Sequence, residues 1–382
     1  MKKIGLLTFH ESENYGTCLQ AFSLMYVLKK ISGCNVDILR FYRRNVVRKS
    51  KLSKIKTLLG LILHFEFDKL VWIIFCRKKI SNIKRKFQSF REKYYSYSSL
   101  IFENRDDFLK HEKDYDAYVV GSDMVWASTR AQPLDLFFLS FAQPYKRIAY
   151  APSIGSVQIP SELKNEYKTL LTDFPHISCR EQIGCDLIQK LTGKKVPLVA
   201  DPTLLLSKEE WIKIFDLSES KNERSPYFLS YLFDGIPRKK IKIIDNFCKE
   251  NKMAKYVIPM SPYEHLMNKN EMLDPVDFVC KIKDSSFVLT NSYHGLVFSI
   301  IFRKPFCVLA RPQKAFWSQF EDRLSNLLIL FNLEQRLISD ISNLNHDHLF
   351  LDYTSIENKI NEFVKKSFTY LNSSITDSFK ND

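Results

Sequence analysis

The sequence predicts an α/β protein of two domains, each a parallel sheet covered by helices, facing each other across a cleft. Three observations carry this reading. Short apolar runs alternate with helical patterns along most of the chain. The chain has 382 residues, 45% of them hydrophobic, which is enough apolar surface for two cores. The polar, proline-ended stretch Lys221-Asn222-Glu223-Arg224-Ser225-Pro226 precedes a fresh βα series, which places a domain boundary at about residue 222.

The run from Ile4 to Phe9 is too short for a signal peptide and reads as a first buried strand. A helix over Thr17 to Ile31 and a strand over Val36 to Phe41 complete a βαβ opening. A basic helical insertion follows at about 43–110. Strands are then predicted at Ala117 to Val120, Arg147 to Ala151, His176 to Cys179 and Pro197 to Ala200, with a helix centred on Asp186 before the last. The second domain, 223–350, is predicted to open with a strand at Tyr227 to Phe233 and a helix at Arg238 to Asn251. It continues with strands at Lys255 to Ile258 and Ser286 to Thr290, a helix at Leu296 to Phe302 and a strand at Phe306 to Ala310. Residues 351–382 are predicted as a terminal helix whose tail, from about Phe368, is disordered.

The net charge of +14 is concentrated. Between Arg43 and Lys93 sixteen Lys or Arg stand against Glu66, Asp68 and Glu92. Leu58, Leu59, Trp72, Ile73 and Phe75 lie among these cations, a mixture suited to helices lying on an anionic membrane surface. Amphipathic helices packed on the first domain with a solvated basic face explain the same residues. Nucleic acid is not expected as a partner, because no recognised module accompanies the charge. No uncharged stretch in this segment approaches the roughly 20 residues of a spanning helix. The eight cysteines are scattered without CxxC spacing, and no His cluster has zinc spacing, so a reducing, cytoplasmic setting without a structural metal is expected.

Four junctions between a strand and the following segment could carry chemistry. The first strand runs through a polar loop, with Asn14 and Gly16, into a helix containing Gln20. Such a helix N-terminus offers free N–H groups to an anion, although an ordinary βα turn needs nothing more. After Val119-Val120, the turn Gly121-Ser122-Asp123 aims Asp123 and Trp126 towards the cleft, Asp123 as a base or as a helix cap. Ile177-Ser178-Cys179-Arg180 ends a strand in a guanidinium that suits a carboxylate or phosphate, or a plain salt bridge. Phe287-Val288-Leu289-Thr290 runs into Asn291-Ser292-Tyr293-His294-Gly295. This places His294 at the positive end of a helix dipole, as a proton carrier or as a buried structural histidine.

In this order the pieces resemble the polysaccharide pyruvyl transferase family: NYG (Asn14 to Gly16) with downstream Gln20, GSDxVW (Gly121 to Trp126), YAxSxG (Tyr150 to Gly155), SxRE (Ser178 to Glu181), DPTxLL (Asp201 to Leu206) and SxHG (Ser292 to Gly295). The likeness extends from Lys3 to about Leu337. Three positions depart from it: Met124 where glutamine is expected, Pro152 where a small residue is expected, and Asn291 where aspartate is frequent.

The resemblance implies an architecture like that of glycosyltransferase B. It also implies phosphoenolpyruvate as donor, a pair of sugar hydroxyls as acceptor, a pyruvate ketal as product, and neither cofactor nor metal. His294, Arg180 and Asp123 would be catalytic, while Asn14, Gly16, Gln20, Ser122, Ser292 and Gly295 would bind substrate. The acceptor would be a lipid-linked saccharide or cell-surface polysaccharide precursor, met at the inner membrane face through residues 43–93. A nucleotide-sugar glycosyltransferase of the same fold and a non-catalytic membrane-surface scaffold are the alternatives.

Overall fold

The computed structural model of the chain describes residues 1–41, 77–128, 134–217, 225–267, 272–311 and 322–380. Most of the segment expected to meet a membrane, residues 43–76, lies outside these. Among the described residues no helix is long and apolar enough to cross a membrane.

The first domain is built on β1 (Lys3–Leu7), β2 (Asn35–Phe41), β3 (Tyr97–Phe102), β4 (Ala117–Val120), β5 (Arg147–Ala149) and β6 (His176–Ile177). They form one sheet in the order β3-β2-β1-β4-β5-β6, every pairing parallel. Helices α1 (Tyr15–Ser32), α2 (Arg77–Tyr94), α3 (Arg105–Lys110), α4 (Leu134–Phe137), α5 (Lys164–Thr172), α6 (Gln182–Thr192) and α7 (Lys208–Phe215) accompany it. The second domain contains β7 (Tyr227–Tyr231), α8 (Ile241–Glu250), β8 (Ala254–Val257), α9 (Pro262–Met267), α10 (Pro275–Asp284), β9 (Phe287–Thr290), α11 (Tyr293–Ile301), β10 (Phe306–Leu309), α12 (Asp322–Leu330) and β11 (Leu337–Ile338). Its strands pair in parallel in the order β11-β10-β9-β7-β8. The expected class, two α/β domains of parallel sheet, is the one found.

Both sheets reverse their winding. The first winds outward from β1 to β3 and then restarts beside β1 at β4; the second reverses between β7 and β9. At such points the neighbouring loops diverge and leave a crevice at the carboxyl ends of the strands. The loop before Asn14 and the turn Gly121-Ser122-Asp123 border the first crevice, and Phe233 and Ser292 border the second.

The domains share one hydrophobic core. Tyr15 of α1 stacks on Phe278 of α10 with ring centroids 4.7 Å apart and meets Tyr231 of β7 edge-on at 5.9 Å. Phe87 of α2 packs on the same Tyr15 ring.

Three expectations need correction. The insertion expected to be helical from about 43 to 110 contains an edge strand, β3. Its central Ser99, Leu100 and Ile101 are all exposed, so it shows none of the alternation that marks a half-buried strand. Pro197 to Ala200 is no strand: Leu198 makes one isolated bridge to Cys179. The disordered tail is instead the second half of α13 (Thr354–Lys380), a single helix. Its buried positions Ile356, Ile360, Ser367, Leu371, Ser374, Ile375 and Ser378 fall along one face, one or two helical turns apart, and the serines let the helix approach the first sheet closely. Ser367 Oγ accepts the Ala200 N–H at 2.8 Å and Tyr370 Oη donates to Ala149 O at 3.0 Å. Near the start of the same helix Glu357 pairs with Arg303 of the second domain. The helix therefore straps one domain to the other.

Candidate functional site

Asn14 caps α1: its side chain accepts the Thr17 N–H at 3.1 Å. Thr17 in turn donates its hydroxyl to Asp123 at 3.0 Å. Gly16 faces the other domain, and a Cβ built on it would fall 1.9 Å from Nδ1 of His294. Only a residue without a side chain permits this approach of α1 to α11.

Gln20 is a brace. Its amide nitrogen donates to Thr8 Oγ1 and Phe9 O at 3.0 and 3.1 Å, and its oxygen accepts the Ser122 N–H at 3.1 Å. The β1 and β4 loops are thereby tied together. Ser122 donates its hydroxyl to Ala151 O at 2.7 Å. Both side chains are fully buried and bonded to protein, so they shape the site from behind.

The turn before Asp123 contains a cis Gly121–Ser122 peptide, and Gly121 has φ +123°. A Cβ there would lie 2.0 Å from Tyr150 O, so the turn requires glycine. Met124 is buried with Ala127 against Phe9. Trp126, expected to face the cleft, is instead fully buried in the first domain and donates its indole N–H to Phe137 O at 2.9 Å.

Arg180 is 5% exposed and sits among acids. Its Nη1 donates to Asp201 Oδ2 at 2.9 Å and its Nη2 to Asp123 Oδ1 at 3.5 Å. Glu181 lies 3.9 Å from its Nε, and its guanidinium stands 4.7 Å from the Tyr293 ring. His294, 7% exposed, enters from α11 and places Nε2 3.5 Å from the same Asp201 oxygen. Ser292 caps α11 by accepting the Gly295 N–H at 3.4 Å, which fixes the turn that carries His294. Asn291 accepts the Phe233 N–H at 2.8 Å on its side chain and bridges the second crevice.

Asp201, 1% exposed, is the hub. Burial alone would raise its carboxyl, but His294, Arg180 and Thr203 outweigh that and hold it well below the usual carboxylate range. Burial acts on Asp123 in the same way, and Arg180, His294, Arg323 and the Thr17 hydroxyl bring it below its ordinary value. Arg323 of α12 belongs to the same cluster. Burial, then repulsion from Arg180, lowers its guanidinium to about 10.

Three buried polar atoms in this cluster lack a hydrogen-bond partner: Arg180 Nε, Glu181 Oε2 and His294 Nε2. Arg180 Nε instead faces Glu181 Oε2 at 3.9 Å and His294 Nε2 faces Asp201 at 3.5 Å, so charges from both domains meet here at longer than ordinary hydrogen-bond distance. Among the described residues no group of His, Cys, Asp and Glu could hold a metal ion. A cavity of about 280 Å³ opens beside Tyr15, between α2 and the Pro259-Met260 end of β8. A larger one, about 540 Å³, lies between α7 and α13, away from His294 and Arg180.

The structure thus brings together Asn14, Gly16, Asp123, Arg180, Ser292, His294 and Gly295. Sequence reasoning did not single out Asp201, Thr17, Glu181, Tyr293 or Arg323 as site residues. The signal for Asp201 was its place in Asp-Pro-Thr directly after an apolar run.

Residues 14–312 match the family described as polysaccharide pyruvyl transferase, well over half of the chain. The chain belongs to the polysaccharide pyruvyl transferase family. Every motif quoted from the sequence lies within the matched span, and the family is one of transferases. Among curated proteins none matches. Solved structures similar to this family member include a UDP-GlcNAc 2-epimerase from Neisseria meningitidis bound to UDP-GlcNAc, at 11% identity and TM-score 0.48, covering 96% of this chain and 100% of that one. Another is an E. coli heptosyltransferase with ADP-2-deoxy-2-fluoro heptose, at 10% identity and TM-score 0.38, covering 86% and 99%. Such likenesses do not bear on chemistry.

Proposed function

We propose that the protein transfers the enolpyruvyl group of phosphoenolpyruvate to two hydroxyls of one sugar, forming a cyclic pyruvate ketal and releasing phosphate. The observation that carries this reading is the buried cluster in which Arg180 and Asp123 of one domain meet His294 of the other, with Arg180 Nε and His294 Nε2 lacking hydrogen bonds. Such atoms suit a substrate bearing phosphate and carboxylate oxygens.

A proton adds to the methylene carbon of the donor and makes it a methyl group, leaving oxocarbenium character on the neighbouring carbon. One sugar hydroxyl attacks that carbon, the bond to phosphate oxygen breaks, and the second hydroxyl closes the ring. The two hydroxyl protons replace the one delivered to carbon and the one carried by the departing phosphate. His294 is the proton carrier: its imidazole enters the cluster from the second domain, and Asp201, 3.5 Å from Nε2, orients it. Asp123 draws a proton from the acceptor hydroxyl, and Arg180 with Arg323 opposes the negative charge of the donor. The N-termini of α1 and α11 add N–H groups. No cofactor takes part. The acceptor is a saccharide of cell-surface polysaccharide assembly, lipid-linked and met at the cytoplasmic membrane face.

The test is phosphate release from phosphoenolpyruvate with a lipid-linked saccharide extract as acceptor. Acceptor-dependent release, lost in both His294→Ala and Arg180→Ala, is the expected result. A product heavier by a sugar, formed from a nucleotide sugar, would overturn the reading.

A further inference from the structure

A second cluster lies on the β1 loop, outside the chemistry just described. His10 follows β1, Arg40 stands near the end of β2, and Arg91 projects from the last turn of α2. His10 is 6% exposed, and its Nδ1 lies 3.0 Å from Thr8 O. A carbonyl only accepts, so Nδ1 carries the proton and Nε2 presents a lone pair. That Nε2 is buried and has no hydrogen-bond partner, and neither has Arg40 Nε. Arg40 uses Nη2 on Ser99 O at 2.9 Å, and Arg91 uses Nη1 on Ser12 O at 3.2 Å. The Tyr97 ring lies 5.5 Å from the His10 ring and 5.8 Å from the Arg40 guanidinium. Glu11 is exposed and feels both arginines.

From this arrangement we infer that His10, Arg40, Arg91 and Tyr97 form an acceptor subsite for an acidic saccharide, a sugar carrying a phosphoryl or carboxylate group. The inference rests on the transferase reading for the word acceptor, and on geometry for the rest. Two guanidiniums recognise an acid. A buried imidazole lone pair recognises a hydroxyl, and an aromatic face suits the ring that carries both. A simple phosphate ion would use the arginines and leave His10 and Tyr97 idle. Burial, reinforced by Arg91 and Arg40, lowers His10 to about 4, so it remains an acceptor of hydrogen bonds at neutral pH. Ser12, which accepts from Arg91, also takes the Asn14 N–H on its hydroxyl at 3.2 Å. One loop therefore links this cluster to the residues that face His294.

The test is calorimetric titration of the full chain, in saturating phosphoenolpyruvate, with the 1-phosphates of glucose, galactose and N-acetylglucosamine, with glucuronate, with methyl glucoside and with inorganic phosphate. At least one acidic sugar is expected to bind, and the glucuronate and phosphate arms distinguish a carboxylate from a phosphoryl group. Arg40→Gln and Arg91→Gln should each weaken that binding by about tenfold or more. Glu11→Gln, on an exposed residue, should strengthen it by removing a competing acid, and it serves as the readout if an arginine variant does not fold. His10→Phe should erase the preference for a sugar phosphate over inorganic phosphate. Binding of no acidic sugar, equal affinity for methyl glucoside, or affinity unchanged in both arginine variants would overturn the subsite. Phosphoenolpyruvate affinity, titrated separately in the wild type and in Arg180→Ala, tests the donor reading. If the donor fails to bind while acidic sugars bind through Arg40 and Arg91, that reading falls and the subsite stands.

Discussion

Gly16 and His294 touch across the two domains: the α-carbon of one is so close to the imidazole of the other that a methyl group would overlap Nδ1 at 1.9 Å. The contact sets where the ring lies, because Asp201 meets it at Nε2 on the other side. Gly16→Ala should therefore push the imidazole off its position. A displacement of about 1 Å at a reacting group can cost roughly a hundredfold in rate. Acceptor-dependent phosphate release should fall to that extent, while Gly33→Ala, which strains only its own φ of +64° at the opposite end of α1, leaves the rate of the folded enzyme intact. Equal rates in Gly16→Ala and the wild type would show that the contact does not position His294.

The Arg180–Asp201 pair is fully desolvated, with side chains 1% and 0% exposed. Removing one partner leaves a buried charge, which costs on the order of 3–5 kcal/mol. Asp201→Ala should lower the unfolding free energy by about that much in a urea titration. The double variant Arg180→Met with Asp201→Leu should show no phosphate release and should regain only part of that stability, because Asp123 and Glu181, buried beside the guanidinium, lose its charge. Such a split would separate the pair's role in folding from its role in chemistry.

The sheets and most helices were legible because buried parallel strands are continuous apolar runs, as in Val119-Val120 and Phe287-Val288-Leu289. The edge strand β3 was not, since its outward residues include both Ser99 and Leu100. The terminal helix was legible but its tail beyond Phe368 was not, for a related reason: Ser374 and Ser378 have the composition of solvated residues and are buried packing positions in three dimensions. In the site, Gly16, Asp123, Arg180 and His294 could be named from motif spacing. Asp201 stood in the DPTxLL motif, but its role was not legible there, because it lies in joining Arg180 and His294, two residues more than a hundred positions apart in the chain.

His10 should make stability depend on pH. Its folded-state value is lowered from 6.5 to about 4, chiefly by burial, so the unfolded chain takes up the proton first. The contribution is complete above pH 6.5 and is lost as the pH falls towards 4, at up to about 1.4 kcal/mol per pH unit for one proton. His265, lowered to about 4 by burial and then by Lys79, acts in the same direction. Unfolding free energies measured at intervals from pH 7.5 to 4.5 should decline in the wild type and decline less in His10→Gln. Parallel slopes in the two proteins would place the imidazole in solvent. Asp201 and Asp123, held below their ordinary value of 3.8, contribute above that value and lose their share only below it.

The terminal helix offers a test of how the two domains are held together. Leu371 is fully buried against the first domain, although it lies on a helix that begins beside Arg303 of the second. Leu371→Ala should cost about 2–5 kcal/mol through lost burial and the cavity left behind. Its effect should extend beyond the helix. Once α13 loosens, Ala200 loses the Ser367 hydroxyl that accepts its N–H, and Asp201 is the next residue. Hydrogen exchange at the Ala200 and Asp201 amides should accelerate in Leu371→Ala, and phosphate release should fall although no substituted atom lies in the site. The exposed substitution Asn372→Ala on the same helix should change neither. If exchange at Ala200 stayed at the wild-type rate while the helix amides opened, the strap and the site would be energetically independent.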